Sequence, residues 1–183
     1  MRLFVAIPVP PEQRAELARL QNGVPGARWV EPHNFHLTLR FIGEVDNGIA
    51  RDIDDQLGRI HDIGFELAIK GVNYFADGAR LSALYAAVES NPALEQLQRR
   101  VESAVARAGI AAERRRFNPH ITLARFSGRQ EAGHHLAQFM ASHSLLRPEP
   151  FAVEHFALYS SVTRPDGPIY RVEAEYPLQV FEE

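Results

Sequence analysis

The chain contains no cysteine and has only one lysine, Lys70, among its 183 residues. Without cysteine there is no disulfide framework, no thiol nucleophile and no thiolate metal site. An apolar run of about 18 residues, the length a membrane-spanning helix needs, is also missing. The short apolar stretch at the N-terminus lacks the length and cleavage site of a secretory signal. We therefore expect a cytoplasmic protein that contacts no membrane.

Strong charge of one sign is missing as well. The chain has 20 basic and 23 acidic residues and a net charge of −3, so no basic field covers the whole molecule for binding duplex nucleic acid. Hydrophobic residues make up 45% and charged residues 23%, which is ordinary globular composition. We expect a monomer with no obligate protein partner.

Apolar runs bounded by glycine, proline and asparagine divide the chain into strands and helices. Strands are predicted at residues 3–8, 35–41, 65–75, 81–88, 119–126, 151–161 and 169–180. Helices are predicted at residues 11–20, 49–60, 92–108 and 130–142. Asp77 and Gly78 are expected to turn a hairpin between two of the strands.

The two halves of the chain repeat one order of elements, strand–helix–strand–helix–strand, with a period of about 84 residues. No linker rich in proline, glycine or serine separates the halves. We therefore predict a single domain over residues 1–183 with internal repeats at about 1–78 and 79–183. The predicted fold class is α+β, with two pseudo-symmetric lobes from this duplication, antiparallel sheets facing a central cleft and helices outside.

The repeat aligns one short motif residue by residue. Residues 36–39 (HLTL) in the first half match residues 120–123 (HITL) in the second, and these motifs contain two of the chain's three threonines. On a strand, residues i and i+2 point to the same face, so each histidine shares a side with its threonine. Lobes related by a two-fold axis would bring both His–Thr pairs to one small ligand.

Two histidines with two hydroxyl groups suit acid–base chemistry at phosphorus. Neutral imidazole accepts a proton, imidazolium donates one, and both forms are populated near neutral pH. With one imidazole on each side of a phosphorus atom, one activates water and the other protonates the departing oxygen. Hydroxyl and guanidinium groups donate to the non-bridging oxygens. This chemistry requires no metal, no cofactor and no nucleophilic side chain.

The residues around both motifs resemble a known family. The 2H phosphoesterases are defined by two H-x-[T/S]-x motifs with apolar x, and both motifs are present here. The flanks are similar to those of the prokaryotic RNA 2',3'-cyclic phosphodiesterases, also called 2'-5' RNA ligases. The similar segments are residues 2–7 (RLFVAI), 29–32 (WVEP), 36–44 (HLTLRFIGE) and 117–125 (FNPHITLAR). The resemblance covers essentially the whole chain.

The resemblance implies metal-independent hydrolysis of 2',3'-cyclic phosphate ends of RNA or nucleotides to 2'-phosphomonoesters, with a weak reverse 2'-5' RNA ligation. It also implies roles for single residues. His36 would be the proton donor to the leaving 3'-oxygen, and His120 would be the proton acceptor that activates water. Thr38, Thr122 and Arg125 match positions that hold the phosphate.

Phe41, just past the first motif, is carried over from the resemblance as a platform for base stacking. Strict alternation along the strands places Phe41 and Arg125 on the face opposite to the histidines. Both residues therefore need a strand end or a β-bulge to reach the site. Tyr159 and Tyr170 either stack on a base or belong to the core.

Two other functions stay open at this point. One is a phosphodiesterase for another small cyclic nucleotide or ADP-ribose cyclic phosphate, and the other is a non-catalytic RNA-binding module of the same fold. The duplicated motif argues against the second, because binding alone does not require two titratable groups at equivalent positions. A zinc site is poorly supported, because no carboxylate or cysteine stands beside either motif. Arg114, Arg115 and Arg116 either steer RNA phosphates or form a solvated surface.

Overall fold

The computed structural model describes residues 1–129, 131 and 133–180, which form four α-helices and ten strands. The helices are α1 (Pro11–Ala18), α2 (Asn47–Leu57), α3 (Pro92–Arg107) and α4 (His134–His143). The strands are β1 (Arg2–Pro8), β2 (Arg28–Trp29), β3 (His36–Glu44), β4 (Phe65–Leu67), β5 (Ile69–Asp77), β6 (Arg80–Val88), β7 (His120–Arg125), β8 (Phe151–Val153), β9 (His155–Val162) and β10 (Ile169–Pro177). None of these helices is long and apolar enough to cross a membrane.

Eight of the strands form one antiparallel sheet in the order β10-β9-β1-β3-β7-β6-β5, with β2 added to β7. Strands β4 and β8 form a separate antiparallel pair. The large sheet is narrowest at its centre, where Leu37 of β3 and Ile121 of β7 form the single registered pair between these two strands in the described part of the chain. The predicted α+β class with antiparallel sheets is confirmed.

Each side of the sheet contains strands from both halves of the chain. On one side β9, from the second half, pairs with β1 from the first. On the other side β5, from the first half, pairs with β6 from the second. Strands β1 and β6 hold equivalent places in the two predicted repeats, and so do β9 and β5. Each repeat therefore pairs with the other in the same way, as a two-fold arrangement requires. The internal duplication itself, with repeats at about 1–78 and 79–183 in one domain, stays a prediction.

The helices follow from local sequence signals and cover the core. The Asn91 side chain caps α3 by accepting a hydrogen bond from the backbone N–H of Leu94, and Pro92 occupies the first helical position. Asp46 caps α2 in the same way. The apolar stripe of α3 is fully buried against the sheet, and its residues recur at helical spacing: Leu94, Leu97, Val101 and Val105.

Several element boundaries differ from the sequence predictions. The predicted strand at 65–75 is broken after Leu67, and the one at 151–161 is broken after Val153, because in each case the first part pairs in the small sheet and the second in the large one. The two-residue strand β2 was not predicted, since two residues show no period. Helix α4 begins at His134 within the predicted 130–142, where Gln130 and Ala132 lie outside the described residues.

A buried arginine ties the first motif strand to the segment that leads to the second. Arg40 in β3 is 7% exposed, and its Nε lies 2.7 Å from Glu102 Oε2 in α3. Its two terminal nitrogens donate to the carbonyl oxygens of Phe41 and Ala111. Glu102 also accepts a hydrogen bond from the backbone N–H of Glu113. The ion pair therefore fixes the chain between α3 and β7.

Replacing Arg40 with methionine should lower the free energy of unfolding by about 3 kcal/mol, because removing one partner leaves Glu102 charged and only 25% exposed. Chemical denaturation measures the effect, and the exposed Arg59→Met provides the matched control. The double variant Arg40→Met/Glu102→Gln should regain part of the loss. A decrease below about 1 kcal/mol for Arg40→Met would show that the ion pair contributes no more than a surface pair.

Candidate active site

The two motif strands place both His–Thr pairs on one face of the sheet. In β3, His36 and Thr38 are half-buried while Leu37 is buried, and β7 shows the same pattern of burial from His120 onward. The strands run antiparallel through the Leu37–Ile121 pair. This register directs His36 toward Thr122 and Thr38 toward His120. The structure thus brings the four predicted motif side chains together.

A β-bulge at the same position of each motif changes the alternation. In β3, Thr38 pairs with Ala6 and Arg40 with Val5, so Leu39 is the extra residue. In β7, the register likewise shifts past Leu123. A bulge reverses which face the following residues occupy. Each bulge leaves two consecutive buried residues, Leu39–Arg40 in β3 and Leu123–Ala124 in β7. The residue that follows each of these pairs therefore points to the same face as the histidines.

Phe41 and Arg125 are those two residues, and they are exposed at the end of equivalent strand segments. Phe41 is 44% exposed, and the guanidinium of Arg2 lies 5.2 Å from the centre of its ring. Arg125 is close enough to both histidines for its charge to lower their pKa values. The bulges supply the change of face that strict alternation in the sequence did not provide.

Each imidazole makes the same kind of hydrogen bond, between its Nδ1 atom and the backbone carbonyl oxygen two residues earlier in the chain. His36 Nδ1 lies 2.7 Å from the carbonyl oxygen of Asn34, and His120 Nδ1 lies 2.7 Å from that of Asn118. A carbonyl oxygen only accepts, so Nδ1 carries the proton in the neutral form of each ring. The Nε2 atom of each neutral ring is then its acceptor.

Aromatic side chains enclose each imidazole. The His36 ring centre lies 4.9 Å from that of Phe4 and 5.4 Å from that of Tyr170. The rings beside His120 are Phe75 at 5.0 Å and Tyr85 at 5.2 Å. Tyr170 is thereby placed at the site, and Tyr159 stacks on Phe4 behind His36 at 5.1 Å. These walls reduce solvation of a charged imidazole.

Burial lowers the pKa of His36 to about 4. The hydrogen bond to Asn34 opposes this shift, while the charges of Arg125 and His120 lower the pKa of His36 further. Burial also lowers the pKa of His120, less strongly, with the same opposing effect of its backbone hydrogen bond and the same contribution from Arg125. Both rings are therefore neutral at neutral pH in the free protein, and His120 takes up a proton before His36.

The remaining polar groups at the site are hydrogen-bond donors, and none of them has a partner in the part of the chain that the structure describes. The hydroxyls of Thr38 and Thr122 and the guanidinium of Arg125 make no hydrogen bond or ion pair within residues 1–129, 131 and 133–180. Among the described groups, no carboxylate contributes to the pKa of either histidine. A face that presents hydroxyls, a guanidinium and imidazoles without a carboxylate is suited to an anion such as phosphate.

The basic residues 114–116 follow α3 and precede β7 in the chain. Arg114, Arg115 and Arg116 are all exposed, and Arg115 pairs with Glu113 at 3.2 Å. In the described part of the chain, no three His, Asp or Glu side chains are close enough together to bind a metal ion.

Three residues that contact the histidines were not singled out from the sequence: Phe4, Phe75 and Tyr85. Neither was Arg28, the registered partner of Arg125 in β2. Phe75 and Tyr85 lie on strands that were predicted, but nothing in a single strand's pattern shows which neighbour it will pair with. Arg28 immediately precedes the segment at residues 29–32 that carries part of the family resemblance. That adjacency was the one available signal for it.

Comparison with known proteins confirms the resemblance drawn from the motifs. A model of the 2'-5' RNA ligase superfamily matches residues 8–164. The RNA 2',3'-cyclic phosphodiesterase of Thermotoga maritima is 32% identical over 178 residues, which cover 94% of this chain and 92% of that protein. The protein of the same name from Archaeoglobus fulgidus is 29% identical over 185 residues, with both chains fully covered.

Solved structures share the fold over nearly the whole chain. The crystal structure of E. coli LigT complexed with 3'-AMP is 28% identical, with a TM-score of 0.79 and 97% of each chain covered. LigT complexed with phosphate is 27% identical, with a TM-score of 0.74, and the match covers 97% of this chain and 96% of that one. With its paired motifs on one antiparallel sheet, this chain belongs to the 2'-5' RNA ligase superfamily.

Proposed function

We propose that this protein hydrolyses 2',3'-cyclic phosphates at RNA ends or on nucleotides to 2'-phosphomonoesters. The observation that carries the proposal is the equivalent pair of imidazoles, each with Nδ1–H bound to a carbonyl and Nε2 left as the acceptor. The proposal is also supported by the relatives from Thermotoga and Archaeoglobus, both of which are named RNA 2',3'-cyclic phosphodiesterase.

The proposed reaction is a single in-line displacement. His120 Nε2 accepts a proton from water as the water oxygen forms a bond to phosphorus. The bond between phosphorus and the 3'-oxygen breaks, and His36 Nε2 gives its proton to that oxygen. The ring opens to a 2'-phosphomonoester, and the two histidines have exchanged their protonation states. Return of the proton from His120 to His36, through solvent, restores the starting state.

In the free protein the order of the pKa values favours proton uptake by His120, so the assigned state, with His36 protonated and His120 neutral, is the less populated one. Within that state the two groups fit their roles. His36, with the lower pKa, is the stronger acid and delivers a proton to a poor leaving group more readily. His120, with the smaller shift, is the stronger base toward water. An anionic phosphate beside His36 raises the pKa of this histidine and so favours its protonated form in the complex.

The neighbouring donors would stabilise the charge that develops on the phosphoryl oxygens. Thr38, Thr122 and Arg125 are proposed to donate to the two non-bridging oxygens, each from a position where no other partner among residues 1–129, 131 and 133–180 competes. Phe41, exposed on the same face, is proposed as the stacking platform for the terminal base.

With a 5'-hydroxyl in place of water as the nucleophile, the same groups can open the cyclic phosphate to a 2'-5' linkage, which is the reverse of cleaving that linkage to a cyclic phosphate. We propose this ligation as a weak reverse activity. We also retain as proposals that the protein works as a monomer in the cytoplasm and needs no cofactor.

The pH profile of kcat/KM should be bell-shaped with its maximum below pH 6.5, the ordinary pKa of histidine. Activity requires His36 protonated and His120 neutral. It therefore falls as pH drops, because His120 becomes protonated, and falls as pH rises, because His36 loses its proton. Since both pKa values are lowered, both limbs move to the acidic side. Steady-state kinetics across the pH range measure this, and a maximum above pH 6.5 would contradict the assigned ionisation states.

Purified protein with excess EDTA and a substrate panel tests the proposed function. The panel contains nucleoside 2',3'-cyclic phosphates, short RNAs ending in a cyclic phosphate and ADP-ribose cyclic phosphate. We expect hydrolysis of the first two, unchanged by the chelator. Turnover of ADP-ribose cyclic phosphate alone would favour the second candidate substrate class. Binding of RNA without turnover would indicate a binding module, and activity restored only by added metal would contradict the metal-free mechanism.

A further inference from the structure

A second arginine stands beside the phosphate-binding Arg125. Strand β2 pairs antiparallel with β7, and Arg28 is the registered partner of Arg125. Side chains of directly opposed residues in an antiparallel pair lie on the same face, with Cβ atoms about 4.5–5.5 Å apart. The row continues across the sheet through Ala83 to Phe75, whose ring touches His120. Arg28 therefore lies on the active-site face, one strand beyond Arg125.

Nothing within the described residues compensates the two positive charges. Arg28 and Arg125 are both exposed, and neither has an ion-pair or hydrogen-bond partner in that part of the chain. Like charges directly opposed across two strands destabilise a sheet. A bound polyanion would remove that repulsion and use both guanidinium groups.

Strand β2 is anchored well enough to hold Arg28 in place. Trp29 points to the opposite side and packs against Phe139 of α4, with ring centres 6.3 Å apart. The backbone N–H of Val30 donates to the carbonyl of Leu123 at 2.9 Å. The Gln21 side chain donates to the carbonyl of Val30 at 2.7 Å. These contacts fix β2 to β7 through groups other than the two arginines.

We propose that Arg28 binds the phosphodiester on the 5' side of the terminal nucleotide while Arg125 binds the reacting cyclic phosphate. This inference rests on the proposed function and adds a preference to it. The cyclic phosphate ends the RNA at its 3' side, so the nearest other phosphate is the one that joins the terminal nucleotide to its predecessor. A nucleoside 2',3'-cyclic phosphate lacks that group. The protein therefore prefers an oligonucleotide end over a mononucleotide.

The test compares uridine 2',3'-cyclic phosphate with the dinucleotide UpU ending in a 2',3'-cyclic phosphate. For the wild type, kcat/KM should be roughly tenfold or more higher for the dinucleotide, the size expected of one charge-assisted contact. Arg28→Gln should remove most of this ratio, whereas the exposed Arg59→Gln beyond α2 should retain it. A third substrate, the dinucleotide with an uncharged methylphosphonate linkage, should lose the preference in the wild type and change little in Arg28→Gln.

Binding measurements separate this proposal from the proposed function. Affinities for uridine 2'-phosphate and for UpU ending in a 2'-phosphate need no turnover, and Arg28→Gln should lower the second roughly tenfold more than the first. Binding without hydrolysis would contradict the proposed function alone. A dinucleotide preference that persists in Arg28→Gln, or one that disappears in Arg114→Gln or Arg116→Gln instead, would overturn the role of Arg28. Equal affinity of the wild type for both ligands would overturn it as well.

The thermal midpoint gives an independent readout. Because Arg28 and Arg125 repel each other in the free protein, Arg28→Gln should raise Tm in phosphate-free buffer at low salt. A merely structural role would lower Tm. Unfolding followed by circular dichroism distinguishes the two, and a lowered midpoint contradicts the proposal.

Discussion

Alanine at His36 or at His120 is expected to lower kcat for cyclic-phosphate hydrolysis by roughly 100-fold or more, because each substitution removes one positioned proton transfer. The double variant should lose little beyond the worse single variant, since the two groups act in one step. Thr38→Ala and Thr122→Ala should have smaller effects, because each removes one hydrogen bond to a charged oxygen, worth about 1.5–3 kcal/mol.

The matched control for the histidine variants is His61→Ala, an exposed histidine outside the site. Circular dichroism should show that each variant is folded, since His36 packs against Phe4 and Tyr170. If either single variant retains more than about a tenth of wild-type kcat, that imidazole does not transfer a proton in the rate-limiting step.

A substrate whose leaving group needs no proton should separate the roles of the two histidines. On a nucleotide p-nitrophenyl phosphodiester, His36→Ala is expected to recover to within about tenfold of the wild type, because p-nitrophenolate departs without an acid. His120→Ala should remain roughly 100-fold impaired, because water still requires a base. Release of p-nitrophenolate is measured by absorbance. Recovery of His120→Ala alone would reverse the assignment of donor and acceptor, and equal recovery of both would leave neither role supported.

The candidate catalytic residues could be predicted from the sequence because the His-x-Thr motif occurs twice. The spacing of His36 to Thr38, repeated at His120 to Thr122, predicts two pairs that share a face, and the structure brings these side chains to one side of one sheet. The antiparallel α+β class followed from the same alternation. A pattern that depends only on the period of a strand is visible without knowledge of its neighbours.

Features that depend on which strands pair with each other could not be predicted from the sequence. The bulges at Leu39 and Leu123 exist only relative to β1 and β6. The sequence therefore predicted that Phe41 and Arg125 need a strand end or a bulge to reach the site, but not where a bulge lies. The same limit hid Arg28, whose two-residue strand is defined by its partner β7. Tertiary packing also breaks the strands predicted at residues 65–75 and 151–161, because the two parts of each belong to different sheets.

The pKa values show why the aromatic walls matter. Histidine has an ordinary pKa of 6.5, and the sequence alone gives both rings the same value. Burial lowers the pKa of His36 more than that of His120, so the two rings are unequal and His36 is the stronger acid. The assignment of donor and acceptor comes from the family resemblance and stays a prediction, which the unequal pKa values do not decide.

Phosphorus NMR of the products tests the central proposal most directly. The protein is incubated with UpU ending in a 2',3'-cyclic phosphate, in excess EDTA and in isotopically labelled water. We expect a single 2'-phosphomonoester with one labelled oxygen on phosphorus, because in the proposed mechanism His36 protonates the 3'-oxygen while water attacks. A 3'-phosphomonoester, a mixture of both esters, or no hydrolysis would contradict it.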